Sequence, residues 1–321
     1  MHLSICRIYY CSYNMSASNN SSHPSIQTMA VIFLHIARTG GLTMRSLIRR
    51  SYPPIKNNSY INLRHYELAS LKEKQTIPAP AYVHAHFVGY GVHRFFSKDT
   101  KPLYITMLRN PVDRLRSILT YGEDGGFENL DHALDSFFSK TGRATHTEVQ
   151  RNILQRARHD NMMTRTLGSV DGTVIPRDTN SCTEETFQLA VHRILNKIKA
   201  VMITERFDES VLLLQKSIGL RNPWYRQINY TKSDRLQSST VPNRYQSHTN
   251  SFDDLRNYTL SRDHYDFRLY ELALEHFNST LSQEYCDIEN HLLRYRHLNR
   301  FAGTLYKVWD RVMPMKLFYE D

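Results

Sequence analysis

The sequence predicts an α/β fold, a doubly wound parallel sheet with flanking helices. Three observations predict it. Ala30-Val31-Ile32-Phe33-Leu34-His35-Ile36 is a continuous, β-branched apolar run of the kind a parallel sheet buries on both faces. A glycine pair, Gly40-Gly41, and a helical pattern follow it at once. Beyond them, short apolar runs alternate with helical stretches, which is the order of βαβ units.

The elements follow in order. A first helix over Leu42 to Arg50 sets Met44, Leu47 and Ile48 on one face. Ala81 to Phe87 reads as a second strand and Leu103 to Leu108 as a third. The third ends at Arg109-Asn110-Pro111, and proline in a first helical turn suits a helix over Val112 to Tyr121. Gly122 to Gly126 is a turn, and Asp131 to Arg158 and Glu184 to Lys199 are helical in pattern. Ala200 to Thr204 is a fourth strand, followed by a helix over Asp208 to Ile218. The polar stretch 221–255 reads as a long loop, a length usually tied to function. A helix from Asp263 to Phe277 and a helical tail follow. These elements imply a disordered leader over 1–28, one folded domain over 29–280, and a C-terminal helical tail over 281–321 packed on it.

Composition narrows the function. With 321 residues, 40% of them hydrophobic and 22% charged, the chain is neither disordered nor fibrous. Its longest apolar stretch, Met29 to Ala37, is broken by His35 and falls short of the roughly 20 residues a membrane helix needs, so no transmembrane segment is expected. The 41 Lys and Arg against 31 Asp and Glu leave a net charge of +10. That excess suits either a solvated surface or a polyanionic partner: nucleic acid, an anionic glycan or a phosphorylated cofactor. Cys6, Cys11, Cys182 and Cys286 have neither C-x-x-C nor zinc-ligand spacing, so neither a metal site nor a disulfide framework is expected. N-x-S/T sequons, such as those at Asn257 and Asn278, stand in a chain with no signal-peptide pattern, which leaves the compartment open.

The turn His35-Ile36-Ala37-Arg38-Thr39-Gly40-Gly41-Leu42-Thr43 has the parts of an anion cradle. Two glycines let backbone approach an anion, the next helix points free N–H groups and its positive dipole end at it, Arg38 adds charge, and Thr39 and Thr43 add hydroxyls. It is not a Walker A loop, and a plain strand-to-helix turn is the structural alternative. Arg109, at the carboxyl end of a predicted strand, stands where open α/β sheets bind ligands, and its guanidinium can grip a phosphate bidentately. An ion pair with Asp113 is its alternative.

Together these segments resemble the sulfotransferases that use 3′-phosphoadenosine 5′-phosphosulfate (PAPS). Phe33 to Thr43 is similar to the family's 5′-phosphosulfate loop, F-L/I-H-I/V-P-K-T-G-G-T-S/T. Tyr104 to Ser117 is similar to its 3′-phosphate element, a strand ending in Arg and a helix with Ser eight residues later. Val83-His84-Ala85-His86-Phe87 and the following Gly89, Gly91 and His93 resemble the histidine segment of the glycan-modifying and bacterial branches. Asp160 to Arg165, Thr204 to Ser210 and Asn229 to Lys232 resemble three further segments, of which the second also reads plainly as a strand end and helix cap.

The resemblance implies a P-loop-like sheet and transfer of a sulfuryl group to a carbohydrate hydroxyl. His86 would be the general base, a role that imidazole suits by its pKa, and His84, on the same strand face, would assist. Arg38 would act on the leaving group, and Arg38, Thr39, Gly40, Gly41, Leu42, Thr43, Arg109, Ser117 and Lys232 would hold PAPS, with no metal. Three departures from the loop pattern are Ala37 for Pro, Arg38 for Lys and Leu42 for Thr; arginine keeps the charge but does not readily give up a proton. The implied partner is a glycan or other hydroxyl-bearing acceptor and not nucleic acid. The implied compartment is cytoplasmic for a bacterial-like chain, or the Golgi lumen if an N-terminal anchor precedes it. A nucleotide phosphotransferase and a non-catalytic polyanion-binding protein remain the alternatives.

Overall fold

A computed structural model describes residues 28–51, 60–64, 82–98, 100–120, 126–127, 129–138, 146–174, 182–220, 223–225 and 249–312. The expected leader, apart from Thr28, and Lys232 lie outside them, as does the central part of the 221–255 loop.

Five strands form one all-parallel sheet: β1 (Thr28–His35), β2 (Tyr60–Arg64), β3 (Tyr82–His86), β4 (Thr100–Leu108) and β5 (Ile198–Ile203). Their order is β2-β3-β1-β4-β5, so the chain builds outward on both sides of β1. In β1, Ala30 to Leu34 are at most 2% exposed, as the unbroken apolar run requires. Register sets the carboxyl ends level, because His35 pairs with His86 and Arg64 pairs with His86 from the other side. The same edge carries the end of β4, and the Thr106 hydroxyl ties that strand to β1 by donating to the Leu34 carbonyl at 3.1 Å.

Helices flank the sheet. They are α1 (Gly41–Ser51), α2 (Pro111–Leu119), α3 (Leu130–Phe138), α4 (Glu148–Ala157), α5 (Met162–Gly168), α6 (Glu184–Asn196), α7 (Phe207–Ile218), α8 (Thr249–Arg262), α9 (His264–Glu284) and α10 (Ile288–Val312). The Asn110 side chain caps α2 by accepting from Val112 N at 3.0 Å, with Pro111 at the first helical position. Most of the core joins the sheet to α1, α6, α7 and α9. A second cluster, built on Val112, Leu115 and Leu119 of α2, packs against Ala133, Leu134 and Phe137 of α3, Leu154 of α4 and Leu255 of α8. From α10, Leu292 and Tyr295 enter the main core, and the Tyr295 hydroxyl donates to the Pro223 carbonyl at 2.7 Å.

Three features differ from the sequence reading. The strand β2 is not among the predicted ones: it has only five residues, and Asn62 and Arg64 dilute its apolar signal. The predicted loop over 221–255 ends early, because α8 starts at Thr249. That polar stretch is helical where Leu255 and Thr259 bury themselves completely. The boundary expected at 281 falls inside α9. Among the described residues, no helix is long and apolar enough to cross a membrane, and Cys182 and Cys286 are free thiols.

Candidate active site

The turn between β1 and α1 is held from both sides. Arg38 adopts φ 70° and Gly40 φ 81°, so two left-handed residues bend the chain back over the sheet edge. For a residue with a Cβ that conformation costs about 1–2 kcal/mol. Phe87, just after His86, is also left-handed at φ 56°. Strain of this kind thus gathers at the carboxyl ends of β1 and β3, as at functional edges. The Thr39 hydroxyl is fully buried and donates to the Ile36 carbonyl at 2.8 Å. It closes the turn from within, and Thr39 as a whole residue is buried. Thr204, after β5, places its hydroxyl 2.8 Å from the Thr39 carbonyl and 2.9 Å from that of Leu108, fastening the turn to the end of β4.

Helix α1 starts at Gly41, its first turn carries no acidic residue, and Met44 N donates to the Gly40 carbonyl at 3.2 Å. The first N–H groups of a helix have no partner within the helix itself and point out of its start. Thr43 is buried there and Leu42 is exposed.

Three of the predicted residues meet at this turn. Arg38 Nε donates to Ser117 Oγ at 3.0 Å, and Arg109 Nη1 donates to the Arg38 carbonyl at 3.1 Å. The bend between β4 and α2 therefore folds back on the turn after β1, as a joint role for Arg109 and Ser117 requires. Glu205 holds that bend from outside: its Oε1 accepts from Asn110 N at 2.9 Å and its Oε2 from the Tyr270 hydroxyl at 3.0 Å.

The histidines form a chain. Asn62 Oδ1 lies 2.9 Å from His84 Nδ1, His84 Nε2 lies 3.0 Å from His35 Nδ1, and His35 Nδ1 lies 3.1 Å from His86 Nδ1. His84 and His35 are buried and His86 is half-buried. Burial above all, then the neighbouring cationic groups, holds the pKa of both buried imidazoles well below 6.5. His84 thus sits behind His86 on the strand face, with both ring nitrogens engaged inside the protein. Among the described residues, no group of three or more His, Cys, Asp or Glu could hold a metal ion.

Glycine at 41 is what gives His35 its place: a Cβ there would fall 1.8 Å from His35 Cδ2 and 1.9 Å from Nε2. Gly→Ala in a helix ordinarily stabilises by up to about 1 kcal/mol. Gly41→Ala is expected to do the reverse, lowering stability by about 1–3 kcal/mol in urea unfolding as the imidazole is forced aside. Equal or greater stability of the variant would show that the ring yields freely.

The chain matches no protein-family model and no curated protein.

Behind the turn after β1, a buried polar network supports α2. Arg114, 1% exposed, leaves Nε and Nη2 without a hydrogen-bond partner and lies within the field of Asp266 and Asp263. Asp266 caps α5, accepting from Met163 N at 3.1 Å and from Thr164 N and Oγ1, both at 2.8 Å. Asp160 and Arg165 pair at 2.8 Å, and Asp263 accepts from Asn161 N at 2.9 Å. The segment Asp160 to Arg165 thus fastens α5 to α9. Asp208 and Glu209 stand in the first turn of α7 after the strand end, but neither caps it: the N-cap residue is Arg206, which has no side-chain cap hydrogen bond and pairs with Glu209 at 2.6 Å.

His35, Asn62, Thr204 and Glu205 belong to the site and are not among the predicted site residues. Their roles come from register and from contacts across the sheet, and only the placement of His84 and His86 on one strand face hinted at a histidine row.

Proposed function

We propose that this protein is a PAPS-dependent sulfotransferase that transfers a sulfuryl group to a hydroxyl of a carbohydrate. The meeting of the two anion-binding elements carries the reading: Arg38 lies on Ser117 at 3.0 Å and Arg109 on the Arg38 carbonyl at 3.1 Å, beside a helix start free of acidic residues. A ligand with two separate phosphate-type groups fits such a pair of sites. The strand order and the glycine turn after β1 support a P-loop-like form of the sheet.

In this reading, Arg38 and the first N–H groups of α1 take the 5′ end of the donor, and Arg109 with Ser117 takes its 3′-phosphate. The Ser117 oxygen accepts from Arg38 and still has its O–H to give. Lys232 would be a further contact. His86 receives the acceptor's proton as the acceptor oxygen bonds to sulfur and the bond from sulfur to the phosphate oxygen breaks. Charge that builds on the departing phosphate meets Arg38 and the helix start; Arg38 supplies charge there and keeps its proton.

Incubation with labelled PAPS and a panel of glycans tests the proposal, with label on a glycan as the expected result. Tight binding of ATP with Mg and none of 3′-phosphoadenosine 5′-phosphate would overturn it in favour of a phosphotransferase. PAPS binding without turnover, not repaired by Arg38→Lys, would make the protein a polyanion binder. Transfer that persists at full rate in His86→Ala would remove His86 from its role.

A further inference from the structure

We propose that the outward face of α10 lays this protein on an anionic lipid surface.

Helix α10 is occupied on one side only. Leu292 and Tyr295 are buried in the main core, Arg296 Nε donates to Asp208 Oδ2 at 2.8 Å, and Asn299 Oδ1 accepts from Tyr225 N at 2.7 Å. On the other side Leu293, Leu298 and Phe301 are 58%, 53% and 66% exposed. At about 100° per residue these three fall within an arc of about 140°, opposite Leu292, Tyr295 and Asn299. Single exposed apolar residues are ordinary, but three on one arc of one helix make a face. In the sequence, Leu298, Phe301, Leu305, Val308 and Val312 follow one another at steps of three and four, so the apolar pattern runs to the end of the helix at Val312.

Cations border this face. Arg294 and Arg300 are exposed on the same arc, Lys307 and Arg311 follow in the sequence, and Glu289 and Asp310 are the only acidic residues of the helix. A helix that combines an apolar stripe with bordering Lys and Arg lies in the plane of a lipid interface, its apolar side chains sunk at the acyl boundary and its cations on headgroup phosphates. Long arginine stems allow both at once.

Charge complementarity selects this occupant over a second copy of the chain. The three-and-four spacing lasts about two heptads, short of the three or four that a coiled coil takes. Arg294 stands four residues before Leu298 on the same seam, so a parallel partner would set one Arg294 against another. Anionic headgroups turn that same residue into an attraction.

The test is co-sedimentation of the full chain with vesicles of phosphatidylcholine alone or of phosphatidylcholine mixed with phosphatidylserine. Binding to the mixed vesicles only, weakened by added salt, is the expected result. Phe301→Ser should weaken it about tenfold and Arg294→Gln about fivefold, with urea unfolding unchanged because both side chains are exposed. Equal sedimentation with both vesicles, or with neither, overturns the proposal. Binding that falls in Arg294→Gln and holds in Phe301→Ser overturns it in favour of an acidic partner held by charge alone. A dimer that Phe301→Ser dissolves overturns it too and gives the face to a second copy. None of these outcomes turns on sulfuryl transfer.

Discussion

Arg38→Gly is expected to cut sulfuryl transfer about 10²–10³-fold, the scale for losing one group that meets charge in a transition state. It should also leave the fold within about 1 kcal/mol of the parent. The two effects separate because residue 38 carries backbone strain and, in the proposed mechanism, also meets the charge on the departing phosphate. At φ 70° any side chain costs about 1–2 kcal/mol that glycine does not. Against that relief stand the greater freedom of glycine in the unfolded chain and the lost hydrogen bond to Ser117, about 1 kcal/mol each. Arg38→Ala keeps the strain and loses the same contact, so it should be the less stable of the two by about 1 kcal/mol. Single-turnover label transfer and urea titration read the two quantities. Alanine matching glycine in stability would show that the turn is unstrained, and near-parent transfer by either would take the charge role from Arg38.

Removing Asp266 should give the largest loss of stability. Asp266→Ala leaves the buried Met163 and Thr164 donors unmet and removes a carboxylate whose field reaches the buried Arg114, a change expected to cost about 3–5 kcal/mol, since each buried donor left unmet costs about 1–3 kcal/mol. A loss below about 1 kcal/mol in urea titration at pH 7 would show that Asp263 and water replace it.

The same residue gives a pH dependence of unusual sign. Burial outweighs the pull of Arg114 and pushes the Asp266 carboxyl from 3.8 to about 6. A raised carboxyl pKa means that the folded state holds the proton more tightly. Its stabilising share is fully present below pH 3.8 and is lost as pH rises through about 6. His35 and His84 act the other way: held neutral in the fold, they cost stability as pH falls below 6.5, where the unfolded chain takes up protons. Asp266→Asn should therefore make the parent's loss of stability between pH 6 and 4 steeper. A shallower loss in the variant would reverse the assignment.

Sequence alone is informative about the sheet wherever burial leaves an unbroken apolar run. β1, the core of β4 and β5 are of this kind, and glycine after β1 and proline after β4 mark the helices that follow. β2 escapes because Asn62 and Arg64 break the apolar pattern of a five-residue strand, and α8 because its packing against α2 and α3 holds a polar segment helical. The candidate site divides in the same way. Arg38, the glycines, Arg109 and Ser117 lie in contiguous patterns, whereas Thr39 is turned inward by a contact with Ile36 that a list of hydroxyl residues does not foretell. His35 carries no signal of its own, since its partner His86 stands in the same row only through the β1–β3 register.

The edge position of β2 has a consequence for dynamics. Among the described residues β2 is the end strand of the sheet; end strands open locally at less cost than strands flanked on both sides, and Asn62, the outer end of the histidine chain, rides on this one. Each fraying of β2 lets go of the Asn62 amide and frees His84 to turn over its proton. Hydrogen exchange at the β2 amides and proton exchange on the His84 ring should then report a single opening event, with the outermost strand acting as the clock for the imidazole at the site.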